Sequence, residues 1–193
     1  MSDIEHPEEL AAIYANSGAS AISVLTEQRQ FLGHLNDLRA VRNAVAVPLL
    51  RKDFIANEYQ ILEARAAGAN IILLIVAGLD EYTLIRLKAF AEDLGMTAFI
   101  ETHTLDEVKI AIQAGVQLIG VNARDLSTFE TDRSLFARFV EEIPAGVTKV
   151  AESAVRNFED VRNYREAGAD AVLVGEALVT GNAAELLKSF LTV

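Results

Sequence analysis

One unit repeats along this chain: a helix-like stretch, a tight turn that is usually alanine-glycine-alanine, and a short run rich in Val and Ile. The turns are Ser17-Gly18-Ala19, Ala67-Gly68-Ala69, Leu94-Gly95-Met96, Ala114-Gly115-Val116, Ala145-Gly146-Val147 and Ala167-Gly168-Ala169. A seventh, Ala46-Val47-Pro48, lacks the glycine. Glycine just past a helix end is the favoured C-cap, because only glycine turns left-handed at little cost. Successive turns lie about 20 to 31 residues apart, the length of one helix plus one strand.

The apolar runs after the turns read as strands at Ser20–Thr26, Val47–Asp53, Asn70–Ala77, Thr97–Thr102, Leu118–Arg124, Lys149–Ala154 and Ala171–Glu176. Most are continuously apolar rather than alternating, as in a parallel sheet covered on both faces by helices. The predicted helices are about Pro7–Asn16, Leu35–Asn43, Asn57–Ala67, Tyr82–Asp93, Leu105–Ala114, Arg133–Glu142, Asn157–Ala167 and Ala183–Thr192. Asp80, Thr104, Asn57 and Asn157 are the predicted N-caps.

That order points to an α/β fold, a (β/α)8 TIM barrel with seven of its eight strands in this chain, as one domain over 1–193. A regular barrel opens with a strand and takes about 250 residues, whereas this 193-residue chain opens with a helix. An N-terminally truncated barrel, short of its first strand, is therefore expected. The competing open doubly wound sheet announces itself with a glycine-rich first loop, and no G-x-G-x-x-G occurs. A missing strand leaves a seam beside Ile22, Val24, Val172 and Val174. The barrel then shrinks, fills the seam with Met1–His6, or pairs there as a homo-oligomer or with a partner.

Composition narrows the function. A net charge of −11 makes nucleic acid or an anionic membrane a poor partner. There is no cysteine, so disulfides and thiolate chemistry are excluded, and His6, His34 and His103 have no metal-ligand spacing. The longest apolar run, Ile71 to Leu79, is too short to span a bilayer, and the acidic, polar start is unlike a signal peptide. A cytoplasmic protein without metal or cofactor is expected.

In parallel α/β folds chemistry gathers at the carboxyl ends of the strands. The polar residues there are Thr26-Glu27, Arg51-Lys52-Asp53, Glu101-Thr102-His103, Asn122 with Arg124-Asp125, Glu152-Ser153 and Gly175-Glu176. Lys52 shares a strand face with Leu50, and Arg51 takes the other. A lysine at the end of a buried strand costs desolvation unless a carboxylate or an anionic ligand answers it. One rim holding lysine, two glutamates, asparagine and arginine suits acid–base chemistry on an anionic substrate. Each residue also has a structural reading. Lys52 could be an ion-pair partner of Asp53 or Glu101, Asn122 a loop cap, Arg124 a partner of Asp125, Gly175 a turn, and His103 part of the framework. Coincidence of all at one rim favours function.

Several strings resemble indole-3-glycerol-phosphate synthase, an enzyme family of tryptophan biosynthesis. Val47-Pro48-Leu49-Leu50-Arg51-Lys52-Asp53-Phe54 resembles its third strand, and Ile119-Gly120-Val121-Asn122-Ala123-Arg124-Asp125-Leu126 its sixth. Ile22–Glu27, Ile72–Ala77, Ile100–His103, Ala151–Ala154 and Val172–Ala177 resemble the second, fourth, fifth, seventh and eighth. The likeness covers essentially the whole chain. It implies a carboxy-lyase that converts 1-(2-carboxyphenylamino)-1-deoxyribulose 5-phosphate into indole-3-glycerol phosphate with loss of carbon dioxide and water. It implies Lys52 as general acid, Glu101 as the carboxylate that assists proton transfer, and Asn122, with Arg124, as residues that orient the substrate and hold the carboxylate network. Phe54, Leu74, Arg124, Glu152, Ser153, Gly175 and Glu176 are implied as substrate contacts, with Phe54 and Leu74 lining the aromatic pocket and Gly175 and Glu176 on the phosphate side. The chain departs from the family in lacking the family's first strand, which carries a glutamate and a catalytic lysine there, at Ala154 where glycine is usual, and at Ala177 where serine is common. The departures leave a catalytically impaired phosphate-binding or partner-regulating barrel as the alternative. The sister barrel phosphoribosylanthranilate isomerase is disfavoured by the strings at Leu50–Phe54 and Val121–Leu126.

Overall fold

The computed structural model describes residues 4–125, 128 and 130–193. The strands are β1 (Ile22–Leu25), β2 (Leu49–Lys52), β3 (Ile71–Ile75), β4 (Thr97–Thr102), β5 (Leu118–Asn122), β6 (Thr148–Glu152) and β7 (Ala171–Leu173). The helices are α1 (Pro7–Asn16), α2 (Leu35–Ala44), α3 (Glu58–Ala66), α4 (Glu81–Asp93), α5 (Leu105–Gln113), α6 (Leu135–Phe139), α7 (Phe158–Glu166), α8 (Glu176–Thr180) and α9 (Ala183–Phe190). All seven strands are parallel and pair in sequence order, β1 to β7. This is the curled sheet of a (β/α) barrel. Among the described residues, no strand pairs with the outer edge of β1 or of β7.

The turns behave as their residues demand. Gly18, Gly68, Gly95, Gly115, Gly146 and Gly168 all have positive φ. Asn57, Asp80, Thr104 and Asn157 each accept a backbone N–H of the first turn, which satisfies a donor that the helix leaves orphaned. Several boundaries fall short of expectation, the strand expected over Asn70–Ala77 among them, which ends at Ile75 before a 3₁₀ turn at Val76–Gly78, and two others stand out. The helix predicted over Arg133–Glu142 is α6 plus a 3₁₀ turn at Val140–Glu142, because Ile143 precedes Pro144 and is extended. β7 stops at Leu173, and Glu176 opens the short helix α8 rather than ending a strand. Among the described residues only β6 pairs with β7, so none of them extends the ladder on its far side.

Alternation along each strand divides two cores. Leu49, Ile72, Leu74, Ile100, Ile119, Val121 and Ala151 pack outward against Leu38, Ile61, Leu84, Leu87, Val108 and Phe136 of the helices. Leu50, Leu73, Ile75, Phe99 and Val150 point inward, with Ile71, Leu118 and Leu173 around them. Burying each such side chain contributes about 1.5–3 kcal/mol. The seam differs from the expected apolar edge. Ile22 and Val24 are buried in the outer core, and the residue between them, Ser23, is exposed. Filling of the seam by the N-terminus falls partly on Met1–Asp3, outside the described residues.

A buried arginine ties the tops of β1 and β2 to α3. Arg51 points to the helix side, where Nε donates to Thr26 Oγ1 at 3.0 Å and Nη2 to Asp53 Oδ2 at 2.9 Å. Nη1 donates to the Gln60 carbonyl at 2.7 Å, and Thr26 Oγ1 donates to Asp53 Oδ2 at 2.6 Å. Removing one partner of a buried pair strands the other charge. Arg51→Ala should therefore lower stability by about 3–5 kcal/mol in urea unfolding. A loss under about 1 kcal/mol would show that Asp53 and Thr26 do not depend on it.

Candidate active site

The inward face of each strand ends in the residues that matter. Lys52 closes β2, Glu101 is the fifth residue of β4, Asn122 closes β5 and Glu152 closes β6. The register puts Asn122 opposite Glu152 and Ile75 opposite Glu101, so these side chains meet at one level. Lys52 Nζ donates to Glu101 Oε2 at 3.0 Å and lies 3.6 Å from Glu152 Oε2. Both glutamate side chains are 1% exposed, while that of Lys52 is 24% exposed and reaches the open mouth.

Glu101 is held from three sides. Besides Lys52, its Oε1 accepts from Asn122 Nδ2 at 2.9 Å and lies 3.2 Å from His103 Nε2, an ion-pair distance at an angle poor for a hydrogen bond. Asn122 Oδ1 in turn accepts from Ser153 Oγ at 2.7 Å and from the Arg124 backbone N–H at 3.0 Å, which fixes which end of the amide faces Glu101. Burial works against an ionised Glu101, but His103, Lys52 and Asn122 outweigh it and hold its carboxyl at about 2. Glu152 goes the other way. Burial first, and then the anion of Glu101, push it up to about 8, against the opposing pull of Lys52. Burial pulls the Lys52 ammonium down, but the two glutamates overcome this and leave its pKa raised. The two carboxyl groups are thus driven apart, Glu101 toward its ionised form and Glu152 toward its protonated form, beside a lysine held charged, the kind of separation that acid–base catalysis uses.

Gly120 makes room for this arrangement. A Cβ there would stand 2.1 Å from Glu152 Oε1 and 2.7 Å from the Phe99 ring. Beyond β6, Ser153 and Ala154 both take positive φ, at 69° and 60°. That conformation costs an L-residue roughly 1–2 kcal/mol, which explains why a glycine would sit well at Ala154. Here the strain turns Ser153 Oγ back onto Asn122.

The remaining expected residues fall into three groups. Phe54 is 43% exposed at the mouth, with its ring centroid 6.2 Å from that of Phe31. Phe31 escaped the sequence reading. It stands in the loop after β1, which Glu27 shapes by accepting the N–H groups of Arg29, Gln30 and Phe31. Arg124, Gly175 and Glu176 are exposed at the rim. Leu126, the end of the string resembling a sixth strand, lies outside the described residues. Leu74 does not line the mouth. It is fully buried in the outer core, and its neighbours Leu73 and Ile75 face inward, because the run from Ile71 to Ile75 is apolar on both faces. Nor does Arg51 add charge to the mouth, since it is locked on the helix side.

Comparison with known proteins agrees with this geometry. A family model described as indole-3-glycerol phosphate synthase matches residues 2–190. The chain is 55% identical over 190 residues to the indole-3-glycerol phosphate synthase of Leifsonia xyli subsp. xyli, covering 98% of this chain and 73% of that one. It is 56% identical to that of Parafrankia sp., covering 94% and 68%, and 57% identical to that of Mycolicibacterium gilvum, covering 93% and 66%. Among solved structures, the N-acetylmannosamine-6-phosphate 2-epimerase of Clostridium perfringens superposes with a TM-score of 0.73 at 16% identity, covering 96% of this chain and 83% of that one. Thiamine phosphate pyrophosphorylase of Pyrococcus furiosus gives 0.74 at 15%, covering 96% and 87%. At such identities these two speak for the fold alone. No helix among the described residues is long and apolar enough to cross a membrane. A match along nearly the whole chain, with relatives more than half identical and the rim residues of the matching strings gathered at one mouth, places this protein in the indole-3-glycerol phosphate synthase family.

Proposed function

We propose that this rim closes the indole ring of 1-(2-carboxyphenylamino)-1-deoxyribulose 5-phosphate, releasing carbon dioxide and water to leave indole-3-glycerol phosphate. The observation that carries the reading is Lys52 Nζ, partly open to the mouth, 3.0 Å from Glu101 and 3.6 Å from Glu152, two buried carboxyl groups that their surroundings push in opposite directions. In the first step the substrate's ring carbon attacks its carbonyl, and negative charge develops on the carbonyl oxygen. The Lys52 ammonium stabilises that oxygen and gives it a proton. Departure of the ring carboxylate as carbon dioxide leaves the electron pair in the new ring. Water then leaves with a proton from an acid, and a base takes the proton that restores aromaticity. Glu101 suits the base because it is ionised, and Glu152 suits the acid because it keeps its proton at neutral pH.

The other residues support binding. Phe54 and Phe31 offer an exposed aromatic pair for the anthranilate ring. Arg124 offers a cation at the rim for an anionic group. Ser153 and Asn122 orient Glu101. Gly175, with an ordinary φ and open space where a Cβ would be, leaves backbone bare at the end of β7 for a phosphate. Glu176 beside it carries the wrong charge for that role.

Two outcomes test this reading. Lys52→Ala should weaken calorimetric binding of indole-3-glycerol phosphate and lower any turnover by about 10²–10⁴-fold. Unchanged binding with unchanged turnover would remove Lys52 from the reaction, and a loss confined to stability would mark it as structural.

The second outcome is a pH dependence of folding. Glu152 at about 8 holds a proton that its ordinary value of 4.5 would release, so its burial costs stability as pH rises from 4.5 through 8. His103 at about 9, against 6.5, stabilises fully below 6.5 and loses this as pH rises through 9. Glu101 at about 2 contributes above 4.5 and loses its contribution only as pH falls toward 2. The urea midpoint should therefore decline between pH 6.5 and 8, and Glu152→Gln should flatten the decline. A midpoint that rises over this range would contradict the assigned proton positions.

A further inference from the structure

His103 stands outside the reaction as described, yet it is wedged between two carboxylates. Its side chain is 9% exposed. Nε2 lies 3.2 Å from Glu101 Oε1, and Nδ1 lies 3.4 Å from Glu107 Oε2. The same Glu107 oxygen accepts the His103 backbone N–H at 2.8 Å. Glu107 belongs to the first turn of α5 and is fixed there by Thr104, whose Oγ1 accepts its backbone N–H. A line of polar contacts thus runs from α5 to the mouth: Glu107, His103, Glu101, Lys52.

We infer that His103 is a positioning residue, an imidazolium that bridges Glu107 and Glu101 and keeps Glu101 ionised and aimed at Lys52. The ring's chemistry carries this. A neutral imidazole has one N–H and one lone pair, so it would turn a lone pair on one of the two carboxylates. Only the doubly protonated ring turns an N–H toward each of them and sets a positive charge between the two, with Glu101 held at ion-pair distance. The charged groups that face it are Glu101 from β4, the strand just before it, Glu107 from α5, and Lys52 and Glu152 across the barrel from β2 and β6. With Lys52 they leave two cations against Glu101 and Glu107, and an uncharged Glu152. Loss of the imidazolium would leave Glu101 with one cation, and the proton on Glu152 would be held still more tightly. Burial pulls the ring's pKa down, but Glu101 and Glu107 raise it to about 9, in line with the geometry.

This inference rests on the reading of Glu101 and Lys52 as acid–base partners, and its test does not need turnover. Nitrogen NMR of the full chain can follow His103 among only three histidines. Both ring nitrogens should be protonated at pH 7.5, and Glu107→Gln should lower the midpoint by about 1 pH unit. Carbon NMR of the carboxyl groups should show the Glu152 midpoint moving up in His103→Gln, a change that a purely packing role would not cause. A neutral His103 at pH 7.5, a midpoint indifferent to Glu107→Gln, or an unmoved Glu152 midpoint in folded His103→Gln would each overturn the inference. If His103→Gln does not fold, the Glu107→Gln titration alone decides. Product binding and turnover indifferent to Lys52→Ala would instead defeat the reading of the reaction and leave a charged His103 in place.

Discussion

One ammonium answers two carboxyl groups in the floor of this barrel, and the rest of the site follows from that imbalance. Two glutamates with 1% exposed side chains cannot both ionise beside a single lysine at modest cost. The surroundings choose between them. Asn122, Lys52 and His103 converge on Glu101, whereas Glu152 has an oxygen without a hydrogen-bond partner among the described residues. A buried carboxyl left that way keeps its proton. In the proposed reaction that choice supplies a base and an acid within reach of one lysine, as a dehydration needs.

The fold earns this by alternation and by local concessions. Parallel strands with strict inward and outward residues put apolar side chains against the helices and leave the inner ends for polar groups. Two concessions then shape the mouth. Gly120 forgoes a side chain so that Glu152 can cross β5, and Ser153 and Ala154 take left-handed backbone so that Ser153 can steer Asn122. Arg51 plays the opposite part to its neighbour. One residue along the strand, it is committed wholly to tying β1, β2 and α3 together, which frees Lys52 from any structural partner outside the site.

Much of this could be read before the structure. The turns were legible because a glycine at positive φ and a capping Asn, Asp or Thr are local requirements. The meeting of Lys52, Glu101, Asn122, Glu152 and Ser153 at one mouth was legible because the carboxyl ends of parallel strands share one rim. Leu74 was misplaced because a run such as Ile71–Ile75 is apolar on both faces and carries no phase. Phe31 was invisible because its loop has no periodicity, only a glutamate that folds it. His103 looked like framework because nothing in sequence shows that Glu107, four residues on, would return to it across the start of α5.

The account depends on where three protons sit, and neutron diffraction from deuterium-exchanged crystals near pH 6.5 observes them directly. It should show Lys52 with three deuterons, Glu101 with none, and Glu152 with one on its carboxyl. A bare Glu152 beside a deuterated Glu101, or a neutral Lys52, would contradict the division of labour on which the site is built.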